Sequence, residues 1–229
     1  MATDTQAPPE THPLLPQGRF TKLLLLLLGM LVAAPLIEAF FHLRLLLEDL
    51  FLTAVFIYAT YSLGRNKRFL TLALGLAVPA IALTWLSPLA NQRWLTILGA
   101  LCDAAFMLTI TLSILTHIFR QKAVTADMIA GAIVVYLLMA VMWSQIYRVL
   151  ECIRPGQFSP PAGQGPITLA LLRYFSFVTI TTVGYGDIIP MTHAARALAN
   201  LEAVMGQLYL VIQVAWLVGM HVTMKSRKG

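Results

Sequence analysis

Thr181-Thr182-Val183-Gly184-Tyr185-Gly186-Asp187 lies between two long apolar segments near the C-terminal end of the chain. Its glycines alternate with bulky residues. In an ordinary extended strand successive carbonyls alternate in direction, so only half can face one axis. Turning them all one way needs positive φ at intervals, which costs an L-residue about 1–2 kcal/mol and glycine little. Gly184 and Gly186 supply that freedom at alternate positions, Val183 and Tyr185 pack outward, and Thr182 adds a hydroxyl oxygen at the inner end. Thr182 to Gly186, at about 3 Å of rise per residue, makes a file of roughly 15 Å. Neutral carbonyl dipoles can replace the hydration shell of a cation without holding it as tightly as carboxylates would.

The flanks fit such a file. Gly165-Pro166 reads as a helix start, with proline at the first helical position where its missing N–H costs nothing. Ile167 to Ile180 is then predicted as a helix of about 14 residues, too short for a bilayer that needs about 20. Such a helix dips in and stops where the glycine run begins, with its carbonyl end directed at the bilayer midplane, where it favours a cation. Asp187 adds negative charge at the outer mouth, and Pro190 with a Thr192 cap marks the turn into the last apolar segment.

The chain has 229 residues, 59% hydrophobic and 11% charged, the composition of a polytopic membrane protein. The pattern predicts an all-α membrane fold with six spans: Phe20–Phe41, Leu45–Leu63, Phe69–Ser87, Trp94–Ile118, Ala126–Leu150 and Ala194–Val222. Residues 151–165 are rich in Pro and Gly and read as an outer turret loop. With both termini in the cytoplasm, the inner Lys and Arg are Arg19, Lys22, Arg65, Lys67, Arg68, Arg120, Lys122, Lys225, Arg227 and Lys228. The outer set is the smaller one: Arg44, Arg93, Arg148, Arg154, Arg173 and Arg196. The net charge of +6 is thus mainly a topology signal and no argument for nucleic-acid binding. Residues 1–18 are expected to be a disordered cytoplasmic leader. The leucine run that follows them reads as a retained span, with a cleaved secretory signal as the alternative. Cys102 reads as a packing residue; Cys152 is either a free thiol or a bridge between subunits. No metal-ligand spacing, nucleophile–base set or phosphate loop is present, so an enzyme is not expected.

On these residues the resemblance is direct. Ile167 to Val222 resembles the pore module of bacterial potassium channels with a single pore loop per chain, and the fifth span extends it as the outer helix. The resemblance implies a pore helix, a selectivity filter at Thr182, Val183, Gly184, Tyr185 and Gly186, and an inner helix. It implies K⁺ held by the backbone carbonyls of Thr182, Val183, Gly184 and Tyr185, with Thr181, Asp187 and Tyr174 as filter support. It implies a homotetramer, since each chain supplies one quarter of the filter. Residues 19–122 then form a four-helix membrane domain in the voltage-sensor position, and residues 123–229 the pore domain. Expected partners are other copies of the chain, membrane lipid and permeant K⁺, with no cofactor and no nucleic acid. The expected location is a bacterial inner membrane. Two departures stand out: Tyr174 and Phe175 occupy the positions of a Trp pair that braces the filter in many members, and Val178 stands where some place a Glu.

The function so implied is passive K⁺ conduction; a weakly selective cation channel and a non-conducting membrane sensor or subunit are the alternatives. The fourth span carries no Arg or Lys, and moving one charge across the field is worth only about 2.3 kcal/mol per 100 mV, so steep voltage gating is not expected. Asp103 is its one acidic residue, read as a structural polar contact, a charge-relay remnant or a proton-linked site. With no cytoplasmic regulatory domain expected in this chain, gating falls to the membrane segments. Gly206 follows Arg196 at the spacing of the family's hinge glycine, and is read either as that hinge or as a close-packing residue against the pore helix. Helical turns from Gln207 give Leu210, Val214 and Val218 as candidate cavity-lining positions that can close by dewetting. Glu202 and His221 are other polar residues of this helix, either able to confer pH sensitivity.

Overall fold

The structure, a computed structural model, describes residues 18–33, 36–37, 46–62, 67–90, 92–121, 124–161, 163 and 165–226. The disorder expected for residues 1–17 and the far end of the first span lie outside the described residues, as does the His221 side chain. In chain order the elements are α1 (Arg19–Leu28), running into a π-helical turn (Gly29–Ala33), α2 (Leu46–Ser62), α3 (Lys67–Ala90), α4 (Arg93–Arg120) and α5 (Ala126–Ile153). They continue with β1 (Phe158–Ser159), α6 (Leu169–Ile180), β2 (Ile189–Pro190) and α7 (His193–Ser226). Of these, α4, α5 and α7 are long and apolar enough to cross a membrane, whereas the apolar stretches of α2 and α3 are shorter, Leu52–Tyr61 and Leu70–Leu86.

α5 is the axis of the fold. It packs against α1, α4, α6 and α7, while α3 leans on α4 and α2 bridges α1 and α3. Small residues permit this. Ala130, Gly131 and Ala132 are buried in its first half, and a Cβ on Gly131 would lie 3.0 Å from Cδ2 of Phe20 on α1 and 3.4 Å from Cδ1 of Ile118 on α4. Where lipid removes the hydrophobic drive between helices, such close approach is the main source of packing energy. Farther out, Phe56 of α2 meets Phe106 of α4 at 4.4 Å between ring centroids.

Two expectations change. The short helix begins at Leu169 rather than at Ile167, because the Thr168 hydroxyl accepts the Leu171 N–H at 3.3 Å. A side-chain oxygen there satisfies an N–H that Gly165 and Pro166 cannot. The fold is also not purely helical: β1 and β2 pair antiparallel, Phe158 with Pro190 and Ser159 with Ile189.

α1 depends on another helix for its start. Its N-cap is Gly18, which offers no side-chain acceptor. Asp127, in the first turn of α5, takes that place: its Oδ1 accepts from the Phe20 N–H at 3.1 Å and the Thr21 N–H at 3.3 Å. Asp127→Ala is expected to cost about 1 kcal/mol, read as a lower thermal midpoint in detergent, and Asp127→Asn, whose amide oxygen still accepts, to cost much less. Equal midpoints for Asp127→Ala and the parent chain would show that this cap contributes nothing.

Candidate functional site

The segment after α6 has an unusual backbone. Gly184 has φ +60° and Gly186 φ +75°, as the glycine alternation requires. Thr182 joins them at φ +59°, the one non-glycine residue with positive φ among the described residues. A β-branched residue is disfavoured there, by about 1–2 kcal/mol. The alternation therefore covers positions 182, 184 and 186. Sequence reasoning gave Thr182 a hydroxyl role and, through the resemblance, an ion-facing carbonyl, but no positive φ; counting back by two from the glycines would have flagged it.

Hydrogen bonds hold the segment at both ends. On the α6 side, the Thr181 N–H donates to the Phe177 carbonyl at 3.1 Å and the Thr182 N–H to the Thr179 carbonyl at 3.0 Å. The Val178 carbonyl accepts from the N–H groups of both Val183 and Gly184, at 3.0 and 3.3 Å. These are helix-end carbonyls that no helical residue can satisfy, so the helix terminus and the segment fulfil each other's needs. The Thr181 hydroxyl adds a bond to the Phe177 carbonyl at 2.6 Å. The Ile180 carbonyl takes the Tyr136 hydroxyl of α5 at 2.8 Å, a partner with no local sequence signal.

On the other side the chain is clamped by the loop that follows α5. The Glu151 carboxylate gathers the N–H groups of Gly156, Gln157 and Phe158 at 2.7, 2.9 and 3.3 Å. That carboxylate folds the loop back and presents β1 to β2. The Gln157 carbonyl then accepts the Met191 N–H at 2.8 Å. Thr192 caps α7 as expected, its hydroxyl accepting the Ala195 N–H at 3.2 Å, and Arg196 donates to the Pro190 carbonyl at 3.0 Å. Arg93, at the start of α4, donates to the Cys152 and Ile153 carbonyls at the end of α5. Within the chain neither Cys152 nor Cys102 forms a disulfide.

The two aromatic residues of α6 have separate tasks. Phe175 is buried in edge-to-face contact with Tyr147 of α5 and Phe158 of β1, with centroids 5.3 and 5.2 Å away. Tyr174 points the other way. Its ring lies parallel to Tyr185, 7° apart in tilt and 6.5 Å in centroid distance. Thr181 to Asp187 are all exposed in the single chain, as are Gln207, Leu210, Val214 and Val218 on α7.

Gly206 sits where α7 crosses the end of α6. A Cβ there would lie 2.5 Å from Ile180 Cγ1 and 3.1 Å from the Ile180 carbonyl oxygen. Close packing is thus one use of this glycine, and α7 runs through it without a break. Gly206→Ala is expected to push the end of α6 outward and cost about 1–3 kcal/mol in thermal unfolding. The penalty should shrink in an Ile180→Ala background; an undiminished penalty would place its origin elsewhere.

No curated protein and no solved structure matches the chain. Residues 128–221, from the first turn of α5 to near the end of α7, match a family model described as an ion channel, and that match supports an ion channel built on these elements.

Proposed function

We propose that the chain is one quarter of a K⁺-selective channel, with Thr182 to Gly186 as its filter. The observation that carries this reading is the positive φ at Thr182, Gly184 and Gly186, held from both ends. Alternating handedness lets consecutive carbonyls of Thr182, Val183, Gly184 and Tyr185 line one axis and stand in for water around K⁺. α6 is then the pore helix, α5 the outer helix and α7 the inner helix. Asp187 contributes negative charge at the outer mouth, with Tyr174 and Thr181 as support.

What one chain leaves uncovered supports a tetramer. Only 11% of the apolar window of α7 is buried, against 67% for α5. Leu201, Val204, Leu208, Val211 and Ile212 stand exposed along it. A single file of carbonyls also surrounds nothing; four-fold closure gives each ion a complete shell. Gln207, Leu210, Val214 and Val218 line the cavity beneath, and Gly206 combines close packing with a place for α7 to bend. α1 to α4 complete six spans, with both termini in the cytoplasm of a bacterial inner membrane. α4 has no Arg or Lys between Arg93 and Arg120, so conductance depends weakly on voltage.

In vesicles, the purified protein is expected to pass K⁺ well ahead of Na⁺, and native mass spectrometry to give four chains per particle. Gly184→Ala is expected to remove K⁺ flux while the tetramer persists, since alanine at φ +60° is strained by about 1–2 kcal/mol in each of four copies. Equal Na⁺ and K⁺ flux would favour a weakly selective cation channel. No flux from an intact tetramer would favour a non-conducting sensor. A dimer, or unchanged flux in Gly184→Ala, would end the filter reading. Replacing Val214 with a polar residue is expected to raise basal current by keeping the cavity wet, and unchanged current would remove Val214 from the gate.

A further inference from the structure

α7 carries one carboxylic acid, Glu202, and it is completely buried. Its neighbours come from two other helices. The Tyr147 hydroxyl of α5 donates to Glu202 Oε2, and the Ser176 Oγ of α6 contacts Glu202 Oε1. Ser176 Oγ also lies 2.7 Å from the Ala140 carbonyl oxygen of α5.

The protons can be counted. A carbonyl oxygen only accepts, so the Ser176–Ala140 contact requires the serine proton. A hydroxyl has one proton, so Ser176 cannot donate to Glu202 as well. Tyr147 spends its own proton on the other carboxyl oxygen. The Oε1 contact is then filled only if Glu202 itself donates. An ionised Glu202 would claim the serine proton and leave two oxygens of Ser176 and Ala140 facing each other at 2.7 Å with nothing between them. Burial points the same way, since an ionised carboxyl in an apolar interior is strongly disfavoured unless paired with a cation. Neither hydrogen-bond partner is a cation. The other polar groups to consider are Tyr136 on α5 and Arg173 on α6, three residues before Ser176.

The position of the acid is regular. Ser176 and Ile180 are one turn apart on α6, and Glu202 and Gly206 are one turn apart on α7. The two helices therefore meet in two successive rungs, Ser176 with Glu202 and Ile180 with Gly206. On α5, Ala140 and Tyr136 serve the same two rungs, through Ser176 and the Ile180 carbonyl. The lower rung ends at the residue before Thr181.

We propose that Glu202 is a neutral carboxylic acid that acts as a positioning residue, donating to Ser176 and accepting from Tyr147 so that one α7 side chain fixes α6, and with it the Thr182–Gly186 backbone, against α5. Three measurements on the intact assembly test this. Infrared spectra near neutral pH should show the carbonyl stretch of a protonated acid in the parent chain and lose that band in Glu202→Gln. Amide hydrogen exchange at Thr181 to Gly184 should quicken by about tenfold in Glu202→Ala and stay near the parent rate in Glu202→Gln, whose amide can still donate and accept. K⁺-over-Na⁺ permeability should fall in Glu202→Ala and hold in Glu202→Gln. Only this last readout rests on the filter reading. If the parent passes no K⁺, the first two still decide the role of Glu202. Absence of a protonated-acid band belonging to Glu202, or equal exchange in Glu202→Ala and the parent, overturns the proposal.

Discussion

The left-handed backbone at Thr182, Gly184 and Gly186 has to be held in place by something other than its own preference. Thr182 at φ +59° is disfavoured locally, and the exposed segment buries little apolar surface of its own. What fixes it is hydrogen bonding at both ends. The last carbonyls of α6 take the first N–H groups of the segment, and the β1–β2 pair fixes the chain that leaves it. Helix termini always leave such carbonyls wanting, so the anchor uses groups that a short helix provides anyway.

The rest of the fold can be read as support for those two anchors. α5 meets α6 through Tyr136, Ala140 and the Tyr147–Phe175 contact, and its last turn carries the Glu151 that folds the β1 loop. One helix therefore reaches both ends of the segment. α1 and α4 lie against the same helix, α1 capped by Asp127 and α4 tied to the end of α5 through Arg93. Phe119 of α4 also meets Trp216 of α7 edge-on, at 5.1 Å between centroids. On the proposed reading, α4 and the inner helix are thus in contact within one chain.

The expectations held best where a feature depends on local chemistry. The half-length helix before the glycine run and the Thr192 cap both lie near their expected places. They depend on residues a few positions apart. The helix start moved from Gly165-Pro166 to Thr168 because a hydroxyl acceptor outweighs a proline's neutrality. Gly206 was legible as special but ambiguous between hinge and contact. The 2.5 Å approach to Ile180 is a relation between helices, and no pattern within α7 encodes it.

The sequence alone determined two of the three positive-φ positions of the central segment, because Gly184 and Gly186 adopt that conformation at little cost, and it determined the run of apolar helices around it, because hydrophobic length is additive along a chain. Tertiary structure decided everything that needs two distant residues to meet: Asp127 capping α1, Glu151 folding the loop toward β2, Tyr136 on the Ile180 carbonyl, and Glu202 shared between Tyr147 and Ser176. The physical reason is that a buried polar group is worth little or much according to its partner, and the partner is fixed only when the helices pack.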